Sequence, residues 1–128
     1  MKQRILHPES RTLSPHISSA VACDGWLHLS GQGPLDIATR EVVRGTIEEE
    51  TRLTLRHIDS LLKAAGCSRE DVVKCVCYLG DLSDFAGFDA EYREFFSGEV
   101  PPARTTVQTP LLRDIKVEID AVARIPQS

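Results

Sequence analysis

The stretch with the clearest chemical content is Pro101-Pro102-Ala103-Arg104-Thr105-Thr106. Two prolines forbid a helix and hold the next residues extended, so Arg104 arrives at the mouth of a strand with two hydroxyl residues behind it. A guanidinium is a planar fork that takes a carboxylate through two hydrogen bonds, which suits recognition of a small organic acid. An ordinary surface salt bridge would use the same residue, and spacing alone does not separate the two uses. Glu118 and Asp120 form a second pair, two residues apart on the polar side of the alternating segment 115–123. A carboxylate whose pKa is raised by burial can hold and deprotonate a water. Either residue would equally serve in a structural ion pair with Lys116, Arg113 or Arg124. Ser30-Gly31-Gln32-Gly33-Pro34 is the third candidate, where glycine lets backbone N–H groups approach a ligand as half of an anion-binding nest. No helix opens directly after it, which excludes a dinucleotide-binding loop.

Other chemistries find little support. The four histidines, at 7, 16, 28 and 57, show no metal-ligand spacing, and no metal is expected. His28 alternates with Leu27 and Leu29 and reads as a satisfied, partly buried imidazole. Cys23, Cys67, Cys75 and Cys77 contain no C-x-x-C pair and read as free, mostly buried thiols of a reducing cytoplasm. In an extended segment the Cys75 and Cys77 sulfurs share one face about 7 Å apart, too far to bond to each other. G-x-S-x-G, P-loop and HExxH patterns are absent from the sequence.

Positioning these residues falls to a single domain over residues 1–128. A folded chain of this mass exposes roughly 6,800 Å² of the roughly 20,600 Å² it exposes unfolded, enough burial for one real core. Hydrophobic residues at 41% and charged ones at 27% are ordinary for a globular protein and exclude disorder. A net charge of −4 and only 5% aromatic residues argue against nucleic acid, which needs cationic contacts and stacking rings. No apolar run approaches the roughly 20 residues of a membrane span, and the charged start MKQRILHPES does not resemble a signal peptide, so a cytoplasmic location is expected.

Periodicity places the elements. Runs 19–24 and 26–30, separated by Asp24-Gly25, predict a hairpin, with 4–7 as a further edge strand and 41–44 as a possible short strand. From Thr46 to Ala65, Ile47, Thr51, Leu55, Ile58 and Leu62 recur at helical spacing behind a Thr46 N-cap and three glutamates, with Gly66 as the stop. A turn at 68–71 leads to a strand over 72–79 that is apolar on both faces. A second amphipathic helix over 83–96 carries Phe85, Phe88, Tyr92, Phe95 and Phe96 as a packing stripe. Strands at 103–109 and 115–123 complete the chain. This order predicts an α+β fold, two helices on one face of a mixed sheet. If Val72, Val76 and Tyr78 face away from the helices, the second face is too apolar for water, and other copies of the chain are expected to cover it.

Several blocks together carry a resemblance: Ser30-Gly31-Gln32 with Pro34, Ala64-Ala65-Gly66, Asp71-Val72-Val73-Lys74, Asp81-Leu82-Ser83-Asp84-Phe85, Tyr92-Arg93-Glu94-Phe95-Phe96, Pro102-Ala103-Arg104 and Val117-Glu118-Ile119-Asp120-Ala121-Val122-Ala123. In order and spacing they resemble the RidA (YjgF/YER057c/UK114) family along nearly the whole chain. The resemblance implies a chorismate-mutase-like fold assembled as a homotrimer with ligand clefts between subunits. It also implies cofactor-independent hydrolysis of 2-imino or 2-enamino acids of the 2-aminoacrylate type to 2-keto acids and ammonia. On that analogy Arg104 would clamp the substrate carboxylate and Glu118 would orient water, while Ser30, Gly31 and Thr106 would help fix the ligand. A hairpin of the last two strands would set Arg104 opposite Glu118, whereas the family inserts its last strand between earlier ones.

The sequence departs from the family pattern at several points. Ser14-Pro15-His16 stands for Gly-Pro-Tyr, Asp89 and His57 each replace an Asn, Arg40 replaces a Gly, and 111–114 lacks the usual Leu-Pro and is shorter. His16 and Asp89 are expected to pair in the cleft and alter the preferred substrate. The same changes would suit a non-catalytic ligand-sensing or scaffold trimer. The ribonuclease label sometimes attached to the family fits poorly with an acidic, aromatic-poor chain.

Overall fold

Asp24 and Gly25 both take positive φ, 53° and 83°, the left-handed pair that a two-residue hairpin turn demands. In the computed structural model, which describes residues 1–127, they fold β2 (Ala20–Cys23) back on β3 (Trp26–Gln32). A short β1 (Gln3–Ile5) pairs with β2 at the sheet edge. The proposed strand at 41–44 reduces to one bridge between Leu35 and Val42.

Helix α1 (Ile47–Ala64) begins as its sequence requires. Thr46 Oγ1 accepts from Glu49 N at 3.1 Å, and Glu49 Oε1 accepts from Thr46 N at 2.8 Å, a reciprocal cap. Gly66, at φ 78°, ends it. After α1 come β4 (Val72–Leu79), α2 (Phe85–Phe95), β5 (Ala103–Gln108) and β6 (Val117–Arg124).

The strands form one mixed sheet in the order β1-β2-β3-β6-β4-β5, with β4 and β5 parallel and the other pairs antiparallel. The last strand therefore lies between β3 and β4, as the family resemblance implies, and not in a hairpin with β5. Alternation explains why it can sit there. Val117, Ile119, Ala121 and Ala123 are all buried beneath the helices with Leu27, Leu29, Cys75, Cys77 and Leu79, and Phe88 from α2 completes that core.

Among the described residues, no element covers the opposite face. Across it, register aligns Val21, His28 and Val122 in one row, Asp120, Val76 and Thr105 in the next, and Glu118, Tyr78 and Val107 in a third. Two expectations change here. Val72 joins the helix-side core because β4 carries an irregularity between Val72 and Lys74 that turns its side chain inward. His28 is exposed on the uncovered face, not a partly buried, satisfied imidazole.

One buried charge fixes the frame. Glu50, in the first turn of α1 and only 1% exposed, accepts from Gly45 N at 3.2 Å, Lys116 N at 2.9 Å and Lys116 Nζ at 3.2 Å. It thereby ties the start of α1 to the residue that leads into β6. Glu50→Ala leaves two part-buried backbone N–H groups unpaired and empties a buried side-chain position, and is expected to cost about 2–4 kcal/mol of unfolding free energy. Urea denaturation of the two proteins measures the loss; equal midpoints would assign the contact no structural weight.

Candidate active site

The residues singled out in the sequence divide into two groups on opposite faces of the sheet. Arg104 and Thr106 lie in register with Cys75 and Cys77, whose side chains are in the core, so β5 presents both toward the helix side. Glu118 alternates with the buried Val117 and Ile119 and therefore points to the uncovered face. Within one chain the two principal candidates do not meet.

On the helix side, α2 and β5 build the surroundings of Arg104 together. Residues 85, 88 and 92 share one face of α2 by helical spacing. The Arg104 guanidinium lies 4.6 Å from the Tyr92 ring centre and 5.4 and 5.6 Å from those of Phe85 and Phe88. Its Nη1 donates to Asp89 Oδ1 at 2.7 Å, and Arg93 Nε stands 3.2 Å from Asp89 Oδ2. Asp89 thus belongs with Arg104 and Arg93. The expected pairing with His16 is not made within the chain: the His16 side chain is exposed, and its backbone N–H donates to Ser14 Oγ at 3.2 Å. Burial pushes the Cys75 thiol up to about 11 and Cys77 up to about 12, so both are neutral sulfurs at physiological pH. Burial, with the neighbouring Cys75 thiol, likewise raises the Tyr92 phenol.

On the uncovered face, the two carboxylates of β6 have different surroundings. Asp120 accepts from Tyr78 Oη at 2.9 Å, a structural contact. Glu118 lies over Gly31, in the irregular stretch between Leu29 and Gln32, and a Cβ at that position would push its carboxylate aside. Burial first, then the negative charge of Asp120, raises the Glu118 pKa above the ordinary glutamate value. No hydrogen bond holds its carboxylate among the described residues. The expected ion pairs are absent from this pair: Lys116 is engaged by Glu50, Arg113 donates to the Arg40 carbonyl, and Arg124 lies over Trp26.

Gly31 also joins Glu118 to a cavity of about 240 Å³ lined by Arg4, Ser14, Ile17, Ser30 and Gln32. The Ser30 hydroxyl donates to the Ser18 carbonyl at 2.6 Å, bracing this wall. Behind it, His57 Nε2 donates to the Leu35 carbonyl at 2.6 Å, and His7 Nε2 meets Gln32 Oε1 at 2.9 Å. Burial lowers the pKa of both imidazoles. A larger groove of about 610 Å³ runs between α1 and α2, past Arg52, Arg56, Asp59, Arg69 and Glu91, and includes none of the candidate residues.

Sequence reasoning missed Arg93 as a partner of Asp89, although four-residue helical spacing was the available signal. It also missed the Tyr78–Asp120 contact, which depends on the pairing of β4 with β6. Arg40 at φ 65° explains why glycine is usual at that turn. Among the described residues, no group of three His, Cys, Asp or Glu side chains is placed to hold a metal ion, and no helix is long and apolar enough to cross a membrane.

Comparison with known proteins places this geometry. Residues 10–125 match the family model described as Endoribonuclease L-PSP. A RutC family protein of Pyrococcus horikoshii is 42% identical over 107 residues, covering 83% of this chain and 84% of its own. The mouse 2-iminobutanoate/2-iminopropanoate deaminase is 38% identical over 107 residues, 83% of this chain and 78% of its own. A crystal structure of the Rid-family protein YyfA from Yersinia pestis superposes with a TM-score of 0.91 at 29% identity, covering 98% of this chain and all of that one.

Proposed function

Because the chain belongs to the Endoribonuclease L-PSP family, which includes the RidA and YjgF proteins, we propose that it hydrolyses 2-imino and 2-enamino acids to 2-keto acids and ammonia. The observation that carries the reading is Glu118, a carboxylate without a hydrogen-bond partner among the described residues, seated on Gly31 and made more basic by burial. The relative named as a 2-iminobutanoate deaminase supports the substrate class.

The chemistry derives from the substrate. Water attacks the electrophilic imine carbon as Glu118 removes one of its protons, so a C–O bond forms, the C=N π electrons move to nitrogen, and Glu118 passes that proton to the nitrogen. In the resulting carbinolamine, Glu118 removes the hydroxyl proton as the oxygen re-forms a carbonyl and the C–N bond breaks. Glu118 delivers this second proton to the departing nitrogen, so ammonia leaves, the carboxylate is regenerated, and both protons of the water end on nitrogen. Arg104 binds the substrate carboxylate through its remaining N–H groups, which fixes the imine carbon relative to water. Positioning and one proton-handling group suffice because the carbon is already electrophilic.

Arg104 and Glu118 lie on opposite sides of the sheet in one chain, so this reading requires them to meet across a subunit boundary. The functional unit in this proposal is a homotrimer whose contacts cover the face carrying Val21, Val76, Val107 and Val122. Sedimentation equilibrium at micromolar concentration is expected to return about three times the 14.2 kDa chain mass; the mass of one chain would eliminate the shared cleft. Activity is tested by producing 2-iminobutanoate in situ with an amino-acid dehydratase and following keto-acid appearance. Catalytic amounts of the protein should accelerate release, and a rate equal to the uncatalysed one would sink the enzyme reading.

A further inference from the structure

Arg104 is engaged by a carboxylate of its own chain. Asp89 takes its Nη1 at 2.7 Å, and the second Asp89 oxygen faces Arg93 Nε at 3.2 Å. Arg104 and Asp89 are screened from water, with side chains 25% and 19% exposed, whereas Arg93 is 76% exposed. Neither member of the inner pair can leave without loss. Asp89 is fixed to the backbone of α2, and Arg104 would have to give up the rings of Tyr92, Phe85 and Phe88.

A tethered group competes at its effective concentration, on the order of millimolar even for flexible tethers. A small ligand present below that level binds the free N–H groups of Arg104 only against repulsion from Asp89, or must displace it. The family pattern has an uncharged Asn at this position, which would accept one hydrogen bond without opposing an anion.

From this geometry we infer that Asp89 is a specificity-determining residue that competes with the substrate carboxylate for Arg104 and weakens binding of simple 2-imino and 2-keto monocarboxylates. The inference rests on the assignment of Arg104 as the carboxylate anchor. It deepens that assignment by naming the group that sets how strongly the anchor holds.

Asp89→Asn removes the charge and keeps the shape and the acceptor, so the Arg104 conformation is retained. Isothermal titration with 2-oxobutanoate, the keto acid that corresponds to 2-iminobutanoate, reads the effect. The Kd of the variant is expected to fall about tenfold, the scale of losing one charge-assisted competitor. KM for 2-iminobutanoate is expected to fall with it. Asp89→Ser should tighten binding likewise and serves if the Asn variant does not fold. Arg104→Ala, alone or combined with Asp89→Asn, should abolish 2-oxobutanoate binding. An unchanged or larger Kd in both Asp89 variants, with Arg104→Ala still abolishing binding, would show that Asp89 aligns Arg104 and does not compete, overturning this inference alone. Wild-type affinity retained in Arg104→Ala would instead overturn the anchor assignment, and the role of Asp89 with it.

Discussion

Arg104→Ala should reduce kcat/KM on a 2-imino acid about 10²- to 10³-fold, the equivalent of roughly 3–4 kcal/mol for a charge-assisted contact in a partly buried site. The loss arises because the guanidinium both binds the carboxylate and fixes the distance from imine carbon to water. The variant should still fold, since the Arg104 side chain is a quarter exposed and the core beneath α2 is supplied by Phe88, Tyr92 and Phe96. Arg104→Lys keeps the charge but loses the planar fork and the stacking over Tyr92, so it should recover only part of the activity. Keto-acid release from in situ 2-iminobutanoate, compared among the three proteins side by side, checks the order wild type, Lys, Ala. Equal rates in all three would remove Arg104 from the mechanism.

Glu118→Gln tests the other half, and its effects on rate and stability have opposite signs. Loss of a positioned general base should lower kcat about 10²- to 10³-fold. Stability should rise at neutral pH, because Glu118 is disfavoured as an anion by burial and by Asp120. A carboxyl whose folded pKa lies above its unfolded value stabilises the fold below the unfolded pKa, and that contribution is lost as pH rises through the folded pKa. The Gln variant escapes this loss. Its thermal midpoint should exceed that of wild type at pH 7, and the advantage should disappear as pH falls below the usual glutamate range. In the same direction, wild-type kcat should decline with acidification from a pH above that range, as the raised pKa is crossed. A Glu118→Gln variant that is fully active, or less stable than wild type at neutral pH, would contradict the assignment.

The elements were legible because each is a local property of the chain. Helical spacing and the Thr46 and Gly66 boundaries marked α1, Asp24-Gly25 marked the hairpin, and strict alternation marked β6 and identified which of its residues enter the core. Val72 failed the same test, because a strand irregularity breaks the two-residue period on which the assignment of faces depends. His28 failed for a different reason: alternation set it opposite the buried Leu27 and Leu29, but it does not say whether any element covers the face it takes. Asp89 shows the limit for site residues. Its four-residue relation to Arg93 is visible in the sequence, whereas its contact with Arg104 is made between a helix and a strand that pairs in parallel with another.

The residue types able to handle a carboxylate and a proton, the elements that carry them, and the family to which the block pattern belongs could all be read along the chain. The entry of β6 into the middle of the sheet, the placement of Arg104 and Glu118 on opposite faces, and the engagement of Arg104 by Asp89 emerged only from the folded arrangement. The division has a physical cause. Helix and strand periods and caps are fixed by neighbours within a few residues, whereas strand order and the facing of side chains are set by burial of apolar surface between segments distant in sequence.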